Sequence, residues 1–83
     1  MIVDLHIVTE SEHPLSVQID LFEREIDRAL VCGHEGMVVI HGIGEGILKR
    51  EVHRICSLHP HVSEYRNEYH PLYGWGSTKI VFR

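Results

Sequence analysis

The segment from Met37 to His41, MVVIH, constrains the fold more than any other part of the chain. Its four apolar residues follow one another without the alternation of a half-buried strand, so both faces of a strand formed here would be apolar. Strands of that kind are typical of the centre of a parallel sheet, where other elements cover them. The rest of this chain of 83 residues therefore has to provide neighbouring strands and covering helices.

The segment from Ile2 to Ile7, IVDLHI, is predicted to form a strand beside it. Apolar and polar residues alternate in this segment, so the strand has one apolar face, which we expect to face the helices. The apolar face carries Val3, Leu5 and Ile7. Asp4 and His6 are expected to point to the opposite, solvated face.

Two helices are predicted from apolar residues that recur at three- and four-residue spacing. The first extends to about Cys32, and Ser16 is a candidate for its N-cap. The second begins at Gly46 or Ile47 and extends to about Leu58. Each helix follows a predicted strand, as in β-α-β units that connect parallel strands.

The last third of the chain is predicted to form two further strands. Val62 to Tyr69 is an irregular strand, His70 to Gly76 is a turn, and Thr78 to Arg83 is the closing strand. Parallel crossovers are right-handed in nearly all proteins, so two successive crossovers in one direction place both helices on the same side of the sheet. The predicted fold class is α/β: a two-layer β-α-β-α-β-β sandwich, with a mixed four-stranded sheet and two helices on one face.

Length and charge limit the functions open to the chain. Eighty-three residues suffice for one small domain, which we take to span residues 1–83, and 43% hydrophobic residues are ordinary for a globular protein. The net charge of −4 argues against a generally basic nucleic-acid binder. The charge is uneven, however, because residues 1–40 hold eight of the acids and residues 41–83 hold six of the bases. An anion site is therefore expected in the second half.

The cysteines and the first residues indicate compartment and context. Cys32 and Cys56 lack the spacing of a metal site, and two thiols do not make a disulfide scaffold, so we expect them to be reduced and the protein to be cytoplasmic. There is no apolar run of membrane-spanning length and no signal peptide, so no membrane partner is expected. Met1 lies almost directly before a strand. This favours a domain from the C-terminal end of a larger protein, with a protein of this domain alone as the alternative.

Histidines stand at the carboxyl ends of the first two predicted strands, where ligands bind in open α/β sheets. His6 lies at the end of the first strand, and His41 ends the second. A loop that leads into a helix follows each of them. If the two strands are neighbours, we expect the two imidazoles to flank one site.

Three alternate glycines follow the second strand and lead into the second helix. Gly42, Gly44 and Gly46 allow backbone conformations closed to other residues and a close approach of a ligand. Their N–H groups are expected to converge on an anion at the helix start, where the dipole is positive and Lys49 and Arg50 lie nearby. The spacing matches neither a Walker A loop nor G-x-G-x-x-G, so no nucleotide cofactor is expected. A single phosphate of a nucleic-acid backbone is the expected ligand.

Three segments, in this order, resemble the motifs of the Smr (small MutS-related) domain family. VDLHI in the first strand is similar to the family's Leu-Asp-Leu-His-Gly motif, and IHGIGEGILKREV is similar to its His-Gly-x-Gly motif and the helix that follows. YGWGSTKIVF is similar to the Gly-x-Gly-x-Thr-x-Val motif on the last strand of the family. The resemblance covers nearly the whole chain, and it implies a fold similar to the C-terminal domain of translation initiation factor 3.

The resemblance also implies binding of DNA or RNA, with the ribosome as a further candidate partner, and metal-assisted nicking of DNA or cleavage of RNA. In the family the Asp-Leu-His motif is tied to cleavage, and this role falls on Asp4 and His6. The His-Gly-x-Gly loop is tied to nucleic-acid contact, and this role falls on His41, Gly42 and Gly44.

The residues and the resemblance together lead to a candidate site in two parts. The catalytic residues are expected to be Asp4, His6 and His41, with His6 as general acid/base and Asp4 on a single weakly held Mg²⁺ or Mn²⁺, or on none. The nucleic-acid and phosphate-binding residues are expected to be Gly42, Gly44, Gly46, Lys49, Arg50 and Lys79. The alternative is a non-catalytic module that docks onto nucleic acid, a ribonucleoprotein or a partner protein. The acidic first half favours that alternative, as does Ile7, which stands where the family has glycine.

The remaining histidines and the aromatic residues carry weaker signals. His59 and His61 are two apart, but Pro60 and the lack of clustered cysteines argue against a structural zinc site. The other histidines, His53 among them, are expected at the surface. Trp75, in a glycine-flanked loop, and the tyrosines either pack at the core and its edges or stack on bases.

Overall fold

The computed structural model describes residues 1–5, 14–42, 46–72 and 74–83. Three residues on which the sequence analysis relied, His6, Ile7 and Gly44, lie outside the described residues. The described chain forms six elements in the predicted order, which are β1 (Ile2–Asp4), α1 (Pro14–Val31), β2 (Gly36–Ile40), α2 (Ile47–Leu58), β3 (Val62–His70) and β4 (Gly74–Phe82). Neither helix among these residues has the length and apolar character that crossing a membrane requires.

The four strands form one mixed sheet in the order β1-β2-β4-β3, which confirms the predicted α/β class. β1 and β2 are parallel, and β4 pairs antiparallel with both β2 and β3. Because β4 follows β3 in a hairpin, the crossover through α2 skips one strand position, which β4 then occupies. Right-handed crossovers in one direction place both helices on one face of the sheet.

The hydrophobic core lies between the helices and this face, here called the helix face. Val3 of β1, Val39 of β2 and Thr78 of β4 are aligned across the sheet, and all three are buried. The helices contribute buried side chains to the same core, which are Phe22, Ile26, Ala29, Leu48, Val52 and Cys56. Ile80 and Phe82 of β4 also belong to this core.

The opposite face of the sheet, here called the open face, carries the alternate residues. Asp4, Ile40 and Ser77 are aligned across β1, β2 and β4 and are one residue removed from the core row. Successive side chains of a strand point to opposite faces, so Asp4 lies on the open face, as predicted. Its carboxylate therefore projects away from the helices.

Several element boundaries differ from the sequence prediction. The strand predicted from Ile2 to Ile7 ends at Asp4. α1 begins at Pro14 rather than after a cap at Ser16, because proline has a helix-compatible φ and lacks only an N–H group that the first turn does not need. The turn predicted from His70 to Gly76 was wrong in its second half, since β4 begins at Gly74. Pairing with β3 extends the strand through residues whose local preference favours a turn, because ladder contacts outweigh that preference.

Candidate functional site

The carboxyl ends of β1 and β2 and the start of β4 meet at one edge of the sheet, here called the carboxyl edge. Asp4 and Ile40 are the last residues of the two parallel strands and stand side by side. The Gly76 carbonyl of β4 accepts hydrogen bonds from the N–H groups of His41, at 2.9 Å, and Gly42, at 3.0 Å. These bonds extend the β2–β4 pairing beyond Ile40 and hold the first glycine of the loop against β4.

Asp4 and His41 lie on opposite faces of the sheet at this edge. His41 follows Ile40, and its N–H group continues the pairing with β4. Its ring therefore projects on the helix face, where it reaches Thr78. Only 5% of its surface is exposed. Asp4 and His41, which were expected to belong to one catalytic site, are therefore on opposite faces of the sheet. His6 lies outside the described residues.

The ring of His41 belongs to a chain of hydrogen bonds between the sheet and α2. Its Nε2 lies 2.8 Å from Thr78 Oγ1, and the Nε2 of His53 lies 2.8 Å from the same oxygen. On its other side, His41 Nδ1 lies 2.8 Å from the carbonyl oxygen of Gly42. These hydrogen bonds therefore connect α2, through Thr78 of β4, to the start of the glycine segment.

The positions of the hydrogens in these hydrogen bonds follow from the groups that can only accept. A carbonyl oxygen only accepts, so Nδ1 of His41 carries a hydrogen and donates it to Gly42. In the neutral ring Nε2 then accepts the hydroxyl proton of Thr78. The Thr78 oxygen in turn accepts from the protonated Nε2 of His53. These bonds correspond to neutral imidazoles of opposite tautomers, with the hydrogen on Nδ1 of His41 and on Nε2 of His53.

His53 was expected at the surface, and that prediction was wrong. Its ring packs edge-on against Tyr65, with 5.1 Å between the ring centroids, and only part of it is exposed. Burial lowers its pKa, and the nearby Lys49 ammonium lowers it further. The sequence signal was the three-residue spacing from His53 to Cys56, which belongs to the apolar stripe of α2.

Lys49 is connected to the sheet rather than extended into solvent. Its Nζ donates to Asn67 Oδ1 at 3.2 Å. The amide nitrogen of Asn67 donates in turn to the carbonyl oxygens of Trp75 and Ser77, each at 2.7 Å. Sequence reasoning missed Asn67, because a single polar residue in an irregular strand gives no sign of this role.

The glycine segment has the backbone conformations that were expected of it. Gly42 has φ +79° and Gly46 has φ +78°, values that L side chains rarely adopt. Gly46 is the N-cap of α2, and its carbonyl accepts the first helical bond from Arg50 N–H at 3.0 Å. The N–H groups of the first helical turn have no intrahelical acceptor and carry the positive end of the dipole. Gly44 lies outside the described residues.

The predicted phosphate-binding cations do not share one surface. Lys49 and Arg50 belong to the first turn of α2, and the side chain of Arg50 is exposed. Lys79 instead lies on the open face, aligned with Val38 and Arg66. Sequence reasoning missed Arg66. Glu64, Arg66 and Glu68 alternate in β3, a spacing that places all three on one face.

The chemistry of the donor set limits what metal the site can hold. Among the described residues, no three His, Cys, Asp or Glu side chains lie close enough together to hold a metal ion. Asp4 is a carboxylate at the carboxyl edge, since it is the last residue of β1. One carboxylate fits a weakly held Mg²⁺ or Mn²⁺ whose other ligands are water and phosphate oxygen.

The sheet order, the two helices on one face and the glycine segment at the carboxyl edge define the Smr domain, and the chain belongs to that family, whose model matches residues 3–83. Endonuclease MutS2 of Solidesulfovibrio magneticus is 40% identical over 58 residues, which are 70% of this chain and 8% of that protein. Endonuclease MutS2 of Halalkalibacterium halodurans is 30% identical over an alignment of 84 positions, which covers 88% of this chain and 11% of that protein. The chain thus spans about a tenth of the length of these relatives.

Two solved structures share the fold. The Smr domain of Thermus thermophilus MutS2 superposes with a TM-score of 0.81 at 19% identity, over 99% of this chain and 96% of that chain. YdaL, a stand-alone small MutS-related protein from Escherichia coli, superposes with a TM-score of 0.74 at 21% identity, over 99% of this chain and 63% of that chain. Both confirm the architecture of the sheet and helices.

Proposed function

We propose that this Smr domain binds nucleic acid at the carboxyl edge of its sheet. The observation that carries the proposal is the pair of glycines with positive φ, Gly42 and Gly46, which bracket the connection from β2 to the start of α2. Backbone without side chains gives a phosphate close access to the N–H groups at the helix start. The exposed Arg50 adds a cation at the same place.

His41 then has a positioning role instead of the catalytic role that was expected of it. Its ring is buried, and both ring nitrogens already contact protein oxygens, those of Gly42 and Thr78. A side chain in this state holds the beginning of the glycine segment at a fixed distance from β4. The phosphate meets the backbone that His41 supports, and not the imidazole.

Hydrolysis of a phosphodiester bond is the second part of the proposal. Asp4 at the end of β1 orients the attacking water or holds Mg²⁺ or Mn²⁺, and His6, two residues on in the sequence, transfers the proton. When bound, the metal ion neutralises charge on the phosphate oxygens. Two relatives bear the name endonuclease, which supports this chemistry.

A docking module without catalysis is the alternative, and the separation of Asp4 from His41 by the sheet favours it. In that case the carboxyl edge holds DNA, RNA, a ribonucleoprotein such as the ribosome, or a partner protein without cutting. The rest of a larger parent chain would supply any activity. Binding and cleavage therefore have to be measured separately.

Binding is tested with a charge-reversal pair. We expect weak, salt-sensitive affinity for a labelled oligonucleotide, with a slope of log K against log salt of about −2 to −4 for two to four phosphate contacts on B-DNA. Lys49→Glu with Arg50→Glu should abolish it. Arg24→Glu with Arg28→Glu, a matched reversal of two exposed cations on α1, should leave it nearly unchanged. Equal affinities of the two double variants would remove the proposed phosphate site.

Cleavage is tested on single-stranded RNA and on supercoiled DNA with Mg²⁺ or Mn²⁺. Asp4→Ala and His6→Ala should each abolish cutting while the affinity for the same nucleic acid persists. If the unmodified protein binds both substrates and cuts neither, the docking module is the correct function and the hydrolytic step is abandoned.

A further inference from the structure

Two large aromatic side chains form an exposed corner at the β3–β4 hairpin. Tyr69 is 59% exposed and Trp75 is 58% exposed. Their ring centroids lie 5.5 Å apart and the ring planes meet at 66°. A small domain that leaves two such rings in water gives up the stabilisation that their burial would supply. The corner combines a ring face with a neighbouring ring edge, which is an arrangement that a third flat ring can join.

The corner lies directly beside the glycine segment. Trp75 precedes Gly76, whose carbonyl oxygen holds the N–H groups of both His41 and Gly42. The register shift between Glu68 and His70 adds one residue to β4, so strict alternation does not extend from Ser77 to Trp75. Tyr69 is two residues after Asn67, whose side chain reaches Lys49 of α2, so the paired rings lie on the side of the sheet that carries α2. The exposed rings are thus at the same edge as the proposed phosphate site and on the side of the sheet that carries α2.

The backbone under the corner is held on two sides. The carbonyl of Trp75 accepts a hydrogen bond from Asn67, and Asn67 is in turn bonded to Lys49 of α2. The next residue, Gly76, is bonded to the end of β2. A ring on a fixed backbone loses little conformational freedom when a ligand packs on it.

The charges around the corner favour a neutral ring over a phosphate. Glu68, the residue before Tyr69, is paired with Arg66 at 3.4 Å, and Arg66 is also 3.5 Å from Glu64. These three charged side chains are paired with one another, and the two rings are neutral. An anion is attracted instead to the start of α2, where Lys49 and Arg50 lie. A ligand with a neutral aromatic part and an anionic part fits both places at once.

We propose that Tyr69 and Trp75 form the stacking site for an unpaired base of the nucleic-acid strand whose phosphate lies at the start of α2. This inference rests on the proposed function and narrows its substrate class to strands with exposed bases. Bases within a duplex are stacked on both faces by their neighbours and offer no free face to the corner. Aromatic stacking on single strands is tolerant of base identity, so selectivity for strandedness is expected and selectivity for sequence is not.

The experiment uses Trp75 as its own reporter, because it is the single tryptophan of the chain. Three ligands are titrated while the intrinsic fluorescence is recorded: a single-stranded oligonucleotide, its duplex, and the same strand with abasic sites. A label on each oligonucleotide reports total binding by anisotropy. We expect quenching by the single strand, and little quenching by the duplex or the abasic strand at equal occupancy.

Variants complete the test. Trp75→Ala should weaken single-strand binding about 5- to 150-fold, the loss expected for one stacked base, and Trp75→Phe should keep most of the affinity. Leu72→Ala removes an exposed apolar side chain of the same hairpin, 81% exposed, and should change nothing. Circular dichroism verifies that each variant is folded, and the fluorescence titration needs no variant.

The outcomes separate the two proposals. If duplex and abasic strand quench as strongly as the single strand, or if Trp75→Ala binds the single strand with unchanged affinity, the stacking site is wrong. Binding that is still lost in Lys49→Glu with Arg50→Glu would then leave the proposed function intact. If no oligonucleotide binds at all, both proposals are wrong.

Discussion

His41 and His53 direct their Nε2 atoms at one hydroxyl group, the Oγ1 of Thr78, which lies 2.8 Å from each. His41 follows the last residue of β2 and His53 lies in the middle of α2, so the same oxygen bonds one ring at the end of a strand and one ring on a helix. The hydroxyl has one proton, and it can donate to only one of the two rings. The direction of the chain is therefore set by the Gly42 carbonyl, which requires a proton on His41 Nδ1.

Replacing Thr78 by Val should destabilise the domain by about 1–3 kcal/mol, because the buried Nε2 atoms lose their partner while the side-chain volume hardly changes. The free energy of unfolding in urea measures this loss. Thr78→Ser, which keeps the hydroxyl, should recover part of it. Ser63→Ala is the matched control, since the exposed Ser63 hydroxyl bonds the Val81 carbonyl at 3.2 Å, and we expect a change within about 0.5 kcal/mol. Equal stability of Thr78→Val and the control would contradict the role assigned to Thr78.

His53 makes stability depend on pH in a defined direction. Burial and then Lys49 lower its pKa from the usual value near 6.5, so below that pH the unfolded chain binds a proton more readily than the folded state. The contribution of His53 is present in full above about pH 6.5 and is lost as the pH falls through the lowered folded value. Urea unfolding between about pH 7.5 and pH 5 should therefore show a smaller loss for His53→Gln than for the unmodified protein.

His34→Gln serves as the control for that measurement, because its side chain is exposed on the turn after α1. This variant should keep the pH dependence of the unmodified protein. A loss of stability on acidification that is the same in His53→Gln as in His34→Gln would show that other groups carry the effect.

Substitutions of Gly42 should reduce stability least for residues that adopt positive φ most readily. Alanine at φ +79° costs about 1–2 kcal/mol of stability, and asparagine costs less because its side chain is compatible with this region. Affinity for a labelled oligonucleotide should fall in the same order, since the backbone at the start of the glycine segment is displaced. If Gly42→Ala is as stable as the unmodified protein and binds equally well, then this conformation is not required.

The two thiols should differ in reactivity. Burial raises the pKa of Cys56 to about 12, whereas Cys32 is exposed after the end of α1. The thiolate is the reactive form, so a disulfide reagent at about pH 8 should label one thiol rapidly and the second at least about 100-fold more slowly. Cys32→Ser should remove the rapid phase, and urea should expose the slow one. Two rapid thiols in the native protein would contradict the buried position of Cys56.

Much of the architecture was determined by local sequence pattern. The apolar stripe of α2 predicted its bounds to within a residue, because a 3.6-residue period on an amphipathic helix is unambiguous over twelve residues. The alternation in β1 placed Asp4 on the open face, and the glycine spacing predicted unusual backbone angles at Gly42 and Gly46. These features depend on residues that are near one another in the chain.

Tertiary structure alone decided which side chains meet. Gly74 to Gly76 were predicted to belong to a turn, but pairing with β3 and β2 makes them part of β4, and that pairing brings Trp75 beside the glycine segment. His41 was expected to be catalytic, yet alternation along β2 turns its ring into the protein, where it bonds the Thr78 hydroxyl that His53 also bonds. Each of these contacts joins residues more than twenty positions apart in the chain or depends on a strand's register, and a local pattern contains no information about either.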